Sequence, residues 1–265
     1  MKDILLTGGA GGLGSAVCMY FAQRGCRVFC CDITSPQQVH EHIVPFDMDV
    51  RSAQSIQRVC DELTAISGGL DAVIHMAGVY MMDSFAEISE ERLAAMLDIN
   101  LLGVYRVNKV FLPLLRKGNG RIIIITSELD GQKPLPFSGV YALSKTALGY
   151  YADALRLELQ LLGVTVTKVR SGAFQTQLLD TSMQEMERMC AHTRLYKTSA
   201  DKLRAVMQRR MKASRLPAEL AKLLYHIATA RRPRPVYTIN ASFELRLYSL
   251  LPRRVQAFLI RRLLG

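Results

Sequence analysis

Four consecutive isoleucines, Ile122-Ile123-Ile124-Ile125, leave this chain few ways to fold. β-branched residues favour extended backbone. A strand apolar on both of its alternating sides must be covered on both faces, as in a parallel sheet, whereas a one-sided sheet would alternate apolar with polar residues. Comparable runs occur at 3–7, 27–31, 42–46, 71–75, 164–169 and 236–239. The segments around 13–24, 52–66, 90–116, 139–162 and 217–230 carry helical apolar spacing. Strand alternating with helix predicts an α/β fold: a Rossmann-like, doubly wound parallel sheet of about seven strands with helices on both faces.

The composition is consistent with that reading. Of 265 residues, 49% are hydrophobic and 22% charged, enough for a large core and unlike a disordered, collagenous or coiled-coil chain. No run reaches the ~18 uncharged apolar residues of a spanning helix. Strand-like residues from Ile4 onward leave no room for a secretory leader, so a cytoplasmic protein is expected. Six cysteines show no C-x-x-C or Cys/His ligand spacing, which predicts buried thiols and no metal site. The chain reads as one domain over 1–265. Its alternation lapses between 177 and 216, where a Met-rich segment of two predicted helices would form a substrate lid.

The first strand runs into Thr7-Gly8-Gly9-Ala10-Gly11-Gly12-Leu13-Gly14, and a helix pattern follows at once. Glycines there permit a tight turn and close backbone approach to a pyrophosphate at the positive helix N-terminus. The match is a dinucleotide fingerprint, strengthened by its position between strand and helix. Asp32 closes the second strand eighteen residues beyond Gly14. Its carboxylate can accept hydrogen bonds from ribose hydroxyls and repel a 2′-phosphate. No Lys or Arg lies between 4 and 23 or between 33 and 50, so the expected cofactor is NAD.

Further motifs follow in order: Asp49-Val50, His75-Met76-Ala77-Gly78, Asn100-Leu101-Leu102-Gly103, Tyr141-x-x-x-Lys145 and Ser171-Gly172-x-x-x-Thr176. With the Gly8-x-x-x-Gly12-x-Gly14 loop, they make residues 1–240 resemble the short-chain dehydrogenase/reductase family. Tyr141 and Lys145, four apart on a helix, share a face. A neighbouring ammonium lowers a phenol's pKa by roughly 1–3 units, suiting it to general acid–base work. The resemblance implies that Tyr141 exchanges a proton with the substrate oxygen while Lys145 tunes it and holds the nicotinamide ribose. It further implies that Asn100 positions a relay water, Thr176 meets the carboxamide, Asp49 and Val50 contact adenine, and Gly8, Gly12, Leu13, Gly14, Ala77 and Gly78 shape the cofactor site. His75, Met76 and Ser171 depart from the family's usual Asn, Asn and Pro.

The family usually has a Ser thirteen residues before the Tyr. Here direct spacing gives Glu128, with Ser127 one residue away. Either a shift lets Ser127 serve or a carboxyl group takes that place, and direct spacing favours Glu128. The expected activity is NAD(H)-dependent interconversion of a secondary alcohol and a ketone on an apolar, steroid-, retinoid- or lipid-like substrate. The alternatives are an NAD-dependent dehydratase or epimerase using Glu128, and a non-catalytic NAD-binding scaffold.

Charge is unevenly spread. Residues 1–186 hold 16 Lys/Arg and 19 Asp/Glu, residues 187–230 hold 10 and 3, and residues 231–265 hold 8 and 1. A basic terminal third suits an anionic partner or an anionic substrate. Residues 253–264 read as an amphipathic helix in which Val255, Phe258 and Leu259 separate from Arg254, Arg261 and Arg262. Segment 243–265 is expected either to meet an anionic membrane or to pack on the pocket or a second subunit of a homodimer or tetramer. Nucleic acid is not expected, because no recognised motif or aromatic–basic interleaving is present.

Overall fold

The computed structural model describes residues 1–34, 40–174, 177–210 and 216–265. Seven strands form a wholly parallel sheet: β1 (Asp3–Thr7), β2 (Arg27–Asp32), β3 (Ile43–Asp47), β4 (Ala72–His75), β5 (Arg121–Ile125), β6 (Thr165–Ser171) and β7 (Val236–Ile239). Their order is β3-β2-β1-β4-β5-β6-β7, so the winding reverses between β1 and β4. In open α/β sheets, ligands sit outside the carboxyl ends of the strands at such a reversal.

The period of two along each strand divides the core. Leu5, Ile122 and Ile124 face α2 (Ala53–Ile66), α4 (Val104–Lys117) and α5 (Gly139–Leu159), packing with Ile56, Phe111 and Leu148. Ile4, Leu6 and Ile123 face α1 (Gly12–Ala22) and α8 (Pro217–Thr229), packing with Val17, Phe21 and Leu224. The isoleucine run is thus shared between two cores. Fully burying each such side chain contributes ~1.5–3 kcal/mol.

The expected long helix over 90–116 is interrupted. It comprises α3 (Glu90–Leu97), a π-helical turn at Asp98–Gly103, and α4. After β6, α6 (Gln177–His192) and α7 (Lys197–Arg210) stand apart from the two main cores. They enclose a third one, with Met186, Met189, Cys190 and Ala200 packed on Met82, Phe137 and Leu264. Leu264 belongs to α10 (Arg253–Leu264), which follows the short α9 (Phe243–Leu250).

His75, at the end of β4, is 3% exposed, and its Nε2 lies 2.7 Å from Asn108 Oδ1. Asn108 Nδ2 donates in turn to the Tyr151 hydroxyl at 3.1 Å. Burial drops the imidazole from the ordinary 6.5 to about 4, outweighing the Asn108 hydrogen bond. The folded chain therefore refuses a proton that the unfolded chain accepts. Stability is full above about pH 6.5 and declines as pH falls toward 4, by up to ~1.4 kcal/mol per pH unit. Chemical denaturation of His75→Asn across this window should give a flatter pH dependence than the wild type. Equal slopes would mean that His75 is not the titrating group.

Candidate functional site

The turn after β1 is made by contacts that only glycine tolerates. Gly8 has φ +75°, and a Cβ there would lie 2.5 Å from the Ala77 nitrogen. At Gly14 it would lie 1.9 Å from the Gly8 oxygen. Thr7 Oγ1 accepts from the Met76 and Ala77 amides, each at 3.3 Å, fastening the loop to the end of β4. The N-terminus of α1 has no side-chain cap and no acidic residue in its first turn. Its free N–H groups and positive dipole end suit an anionic group.

A cleft of about 550 Å³ opens there, lined in part by Gly8, Asp32, Asp49, Val50, Ala77 and Gly78. Asp32 Oδ2 accepts from the Ala10 amide at 2.9 Å. Gly12 and Gly14 begin α1, while Leu13 turns its side chain into the core and leaves only backbone for a ligand. Thr176 lies outside the described residues. Arg51, immediately after Asp49-Val50, also lines the cleft and was missed by the sequence reading. Its guanidinium is taken up by Asp49, with Nη2–Oδ2 at 2.7 Å and Nε to both oxygens at 3.0 Å. This pairing holds the Asp49 carboxyl below its usual range.

Tyr141 and Lys145 lie on α5 beside this cleft. A Cβ on Gly78 would sit 3.6 Å from Lys145 Nζ, and Nζ donates to the Ile125 carbonyl at 3.2 Å. Burial lowers the Lys145 ammonium to about 8. Burial also raises the Tyr141 phenol to about 12, a rise that the neighbouring Ser127 hydroxyl opposes and Glu128's charge adds to. The phenol thus stands above its free value, where the Tyr141–Lys145 spacing led to the expectation of a lowered one. Nζ stands 5.9 Å from the Tyr141 ring centre, and desolvation prevails.

Ser127 and Glu128 both line a second cavity of about 350 Å³ beside Tyr141. Ser127 is the polar neighbour that favours the ionised phenol, while Glu128 acts on it only through its charge. Glu128 Oε2 accepts from the Ser242 amide at 2.5 Å, at the start of α9. Burial pushes the Glu128 carboxyl up, against the lowering effects of that amide and Arg246. Both candidates thus reach the cavity beside the phenol, and Glu128, the residue favoured by direct spacing, is the one tied to α9. The remaining walls are largely apolar, including Tyr80, Met82, Leu203, Met207 and Leu245.

Asn100, on the π-helical turn, is fully buried. Its Nδ2 donates to the Val79 carbonyl (2.9 Å) and Ser144 Oγ (3.0 Å), and its Oδ1 accepts from the Val79 amide (2.8 Å). With both amide protons committed, any water at Asn100 would be held by its oxygens. Asp130 was likewise missed by the sequence reading. It is 4% exposed and its Oδ2 meets Lys168 Nζ (3.3 Å), Arg170 Nε (3.2 Å) and Thr126 Oγ1 (3.2 Å). Lys168 also pairs with Asp153 of α5 at 2.6 Å. This network ties the Ser127 loop to β6 and α5. Its signal, Lys168 and Arg170 two apart and so on one face of β6, acquires meaning only once the strand's neighbours are known.

The sequence profile described as short chain dehydrogenase matches residues 2–187. The chain belongs to the short-chain dehydrogenase family. It is 34% identical over 183 residues to the 3-amino-tetrahydro-pyrrolizinone reductase of Xenorhabdus hominickii, covering 68% of this chain and 64% of that protein. Identity to human 17-beta-hydroxysteroid dehydrogenase type 2 is 32% over 197 residues, 68% of this chain and 49% of that one. For the NADPH-dependent 1-acyldihydroxyacetone phosphate reductase of Schizosaccharomyces pombe it is 31% over 186 residues, 67% and 61%. The chain thus spans less than two thirds of the length of these curated relatives. Among solved structures, a short-chain dehydrogenase from Streptomyces avermitilis superposes with TM-score 0.78 at 21% identity, covering 98% of this chain and 95% of that one. The 3-ketoacyl-(acyl-carrier-protein) reductase of Brucella melitensis, complexed with NADH, gives 0.74 at 16%, covering 90% and 96%. Nicotinamide cofactors of both types therefore occur among proteins similar to this short-chain dehydrogenase.

Asp130 gives the site a stability signature. Asp130→Ala leaves buried Lys168 with Asp153 alone and frees the Ser127 loop, for an expected loss of ~3–5 kcal/mol in urea denaturation. Asp153→Ala, at the half-exposed end of the network, should cost much less. Equal losses would show that Asp130 is not the buried linchpin.

Proposed function

We propose that this short-chain dehydrogenase is an NAD(H)-dependent oxidoreductase that interconverts a secondary alcohol and a ketone on an apolar, steroid-, retinoid- or lipid-like substrate. One juxtaposition carries the reading. Tyr141 and Ser127 face one mainly apolar cavity, and the segment from Met76 to Met82 lines both that cavity and the glycine-loop cleft.

The cleft fits a dinucleotide, with glycines where a Cβ would close the loop and an uncapped helix N-terminus for a pyrophosphate. Asp32 would receive the adenosine ribose hydroxyls, and Lys145 the nicotinamide ribose. Two observations support NAD over NADP. Asp32 carries its charge in the cleft, and Arg51, which could have met a 2′-phosphate, is held by Asp49. When bound, the cofactor gives or takes a hydride.

Reduction and oxidation ask opposite things of Tyr141. At neutral pH the phenol is protonated, ready to donate to a carbonyl oxygen as a general acid. Ser127 would donate to the same oxygen and help to orient it. The Lys145 ammonium would compensate the phenolate left behind, and Asn100 would hold a water through which the proton is restored. In alcohol oxidation the phenol must first lose its proton, so that direction should gain rate as pH rises. The epimerase alternative needed Glu128 as the acting group. Its carboxylate is already engaged by the Ser242 amide, so the tyrosine reading is preferred.

Screening apolar ketones and secondary alcohols by NADH absorbance tests this directly, since internal recycling in an epimerase would give no net change. Ser127→Ala should lower kcat by ~100-fold or more and Tyr141→Phe further, while Glu128→Gln should keep most of the activity. A dead Glu128→Gln beside an active Ser127→Ala would reverse the assignment. Asp32→Ser should raise NADP use relative to NAD by at least ~10-fold, as expected for removing a like charge from the 2′-phosphate site. An unchanged cofactor ratio would mean that Asp32 does not meet the ribose.

A further inference from the structure

The terminal helices were expected to show apolar and basic faces on α10. The structure divides the work differently. In α10, Gln256, Ile260 and Leu264 turn inward: Leu264 is 7% exposed in the core shared with α6 and α7, and Gln256 Nε2 donates to the Tyr248 and Leu251 carbonyls. Val255 and Phe258 share the outer surface with Arg254, Arg261 and Arg262. The ordered apolar ridge lies on α9. Phe243, Leu247 and Leu250, at i, i+4 and i+7, form one stripe and are 76%, 53% and 82% exposed. Leu245, on another side of this helix, lines the Tyr141 cavity.

We propose that the α9 ridge docks on the surface of an anionic lipid bilayer, with the arginines of the terminal segment supplying the electrostatic attraction. Large apolar side chains aligned on a helix and left in water mark an interaction surface. Here they lie in a segment, 231–265, with eight arginines and one acidic residue. Such a helix rests in the interfacial plane, its apolar side chains among the acyl chains and its arginines at the headgroups. A second copy fits poorly, because a two-fold contact through this patch would oppose like charges. No helix of the described residues is long and apolar enough to cross a membrane, so the contact is with the surface. With Leu245 on the same short helix, the docked ridge would place the cavity wall beside the lipid. This surface stands whether or not the proposed chemistry holds.

The test is co-sedimentation of the full chain with phosphatidylcholine vesicles, with and without about a third phosphatidylglycerol, at low and high salt and without substrate. Binding is expected only with the anionic lipid, and weakened by salt. The triple variant Phe243→Ser, Leu247→Ser, Leu250→Ser should bind at least ~10-fold more weakly with an unchanged melting temperature. Should that variant fold poorly, Arg253→Glu with Arg254→Glu carries the test, with a comparable loss expected from reversing two charges. Failure of the wild type to bind, or variants that bind equally well, overturns the proposal. So does a wild-type dimer that the triple variant converts to monomer in gel filtration, because it gives the ridge to a second copy.

Discussion

The glycine loop can close only against the end of β4. Gly8 approaches the Ala77 backbone within a distance no side chain permits, and Thr7 holds two β4-end amides through one oxygen. That contact defines the crevice at the winding reversal between β1 and β4. Everything on the cofactor side follows from it. α1 leaves the loop with its N–H groups free, Asp32 arrives from the neighbouring strand, and Gly78 runs close to Lys145. A side chain at Gly8 would wedge the two strand ends apart and disturb all of these positions together.

A second constraint acts on the other side of the sheet. The loop after β5 brings Ser127 and Glu128 to the cavity beside Tyr141, yet it is irregular. Burying Asp130 among Lys168, Arg170 and Thr126 fixes its far end. Buried charges are costly unless paired and hydrogen-bonded, and here they are both, which restrains the loop to few conformations. Ser127 then lines the cavity beside the phenol, and Glu128 turns toward α9.

The strands and their parallel arrangement were legible because apolar runs and helical spacing are local signals that the tertiary structure did not override. The Tyr141–Lys145 pair and the glycine loop were legible for the same reason: each is set by spacing within or between regular elements. The choice between Ser127 and Glu128 was not. It depends on how many residues an irregular loop spends between β5 and α5, and counting back from Tyr141 assumes a loop shape that the sequence does not specify. Arg51 was not legible because it lies one residue beyond the cation-free stretch 33–50, and only the fold brings it to the cleft. The face of α10 was misread because helical periodicity identifies a stripe but not the surface that covers it, and Gln256 shows that the inner face need not be wholly apolar.

The π-helical turn at Asp98–Gly103 has a consequence for how this site could be lost. Such a turn holds one residue more than a regular helix would, and the extra residue shifts everything after it by about 100° around the axis. Asn100 reaches Val79 and Ser144 because of that irregularity. A one-codon deletion here would restore an unbroken helix, improve its backbone geometry and leave the composition almost untouched. It would also swing either Asn100 or the buried face of α4 out of register, since both cannot be satisfied by a regular helix. Length at this turn therefore matters as much as composition, and the variant with the better helix would be the one with the dismantled site.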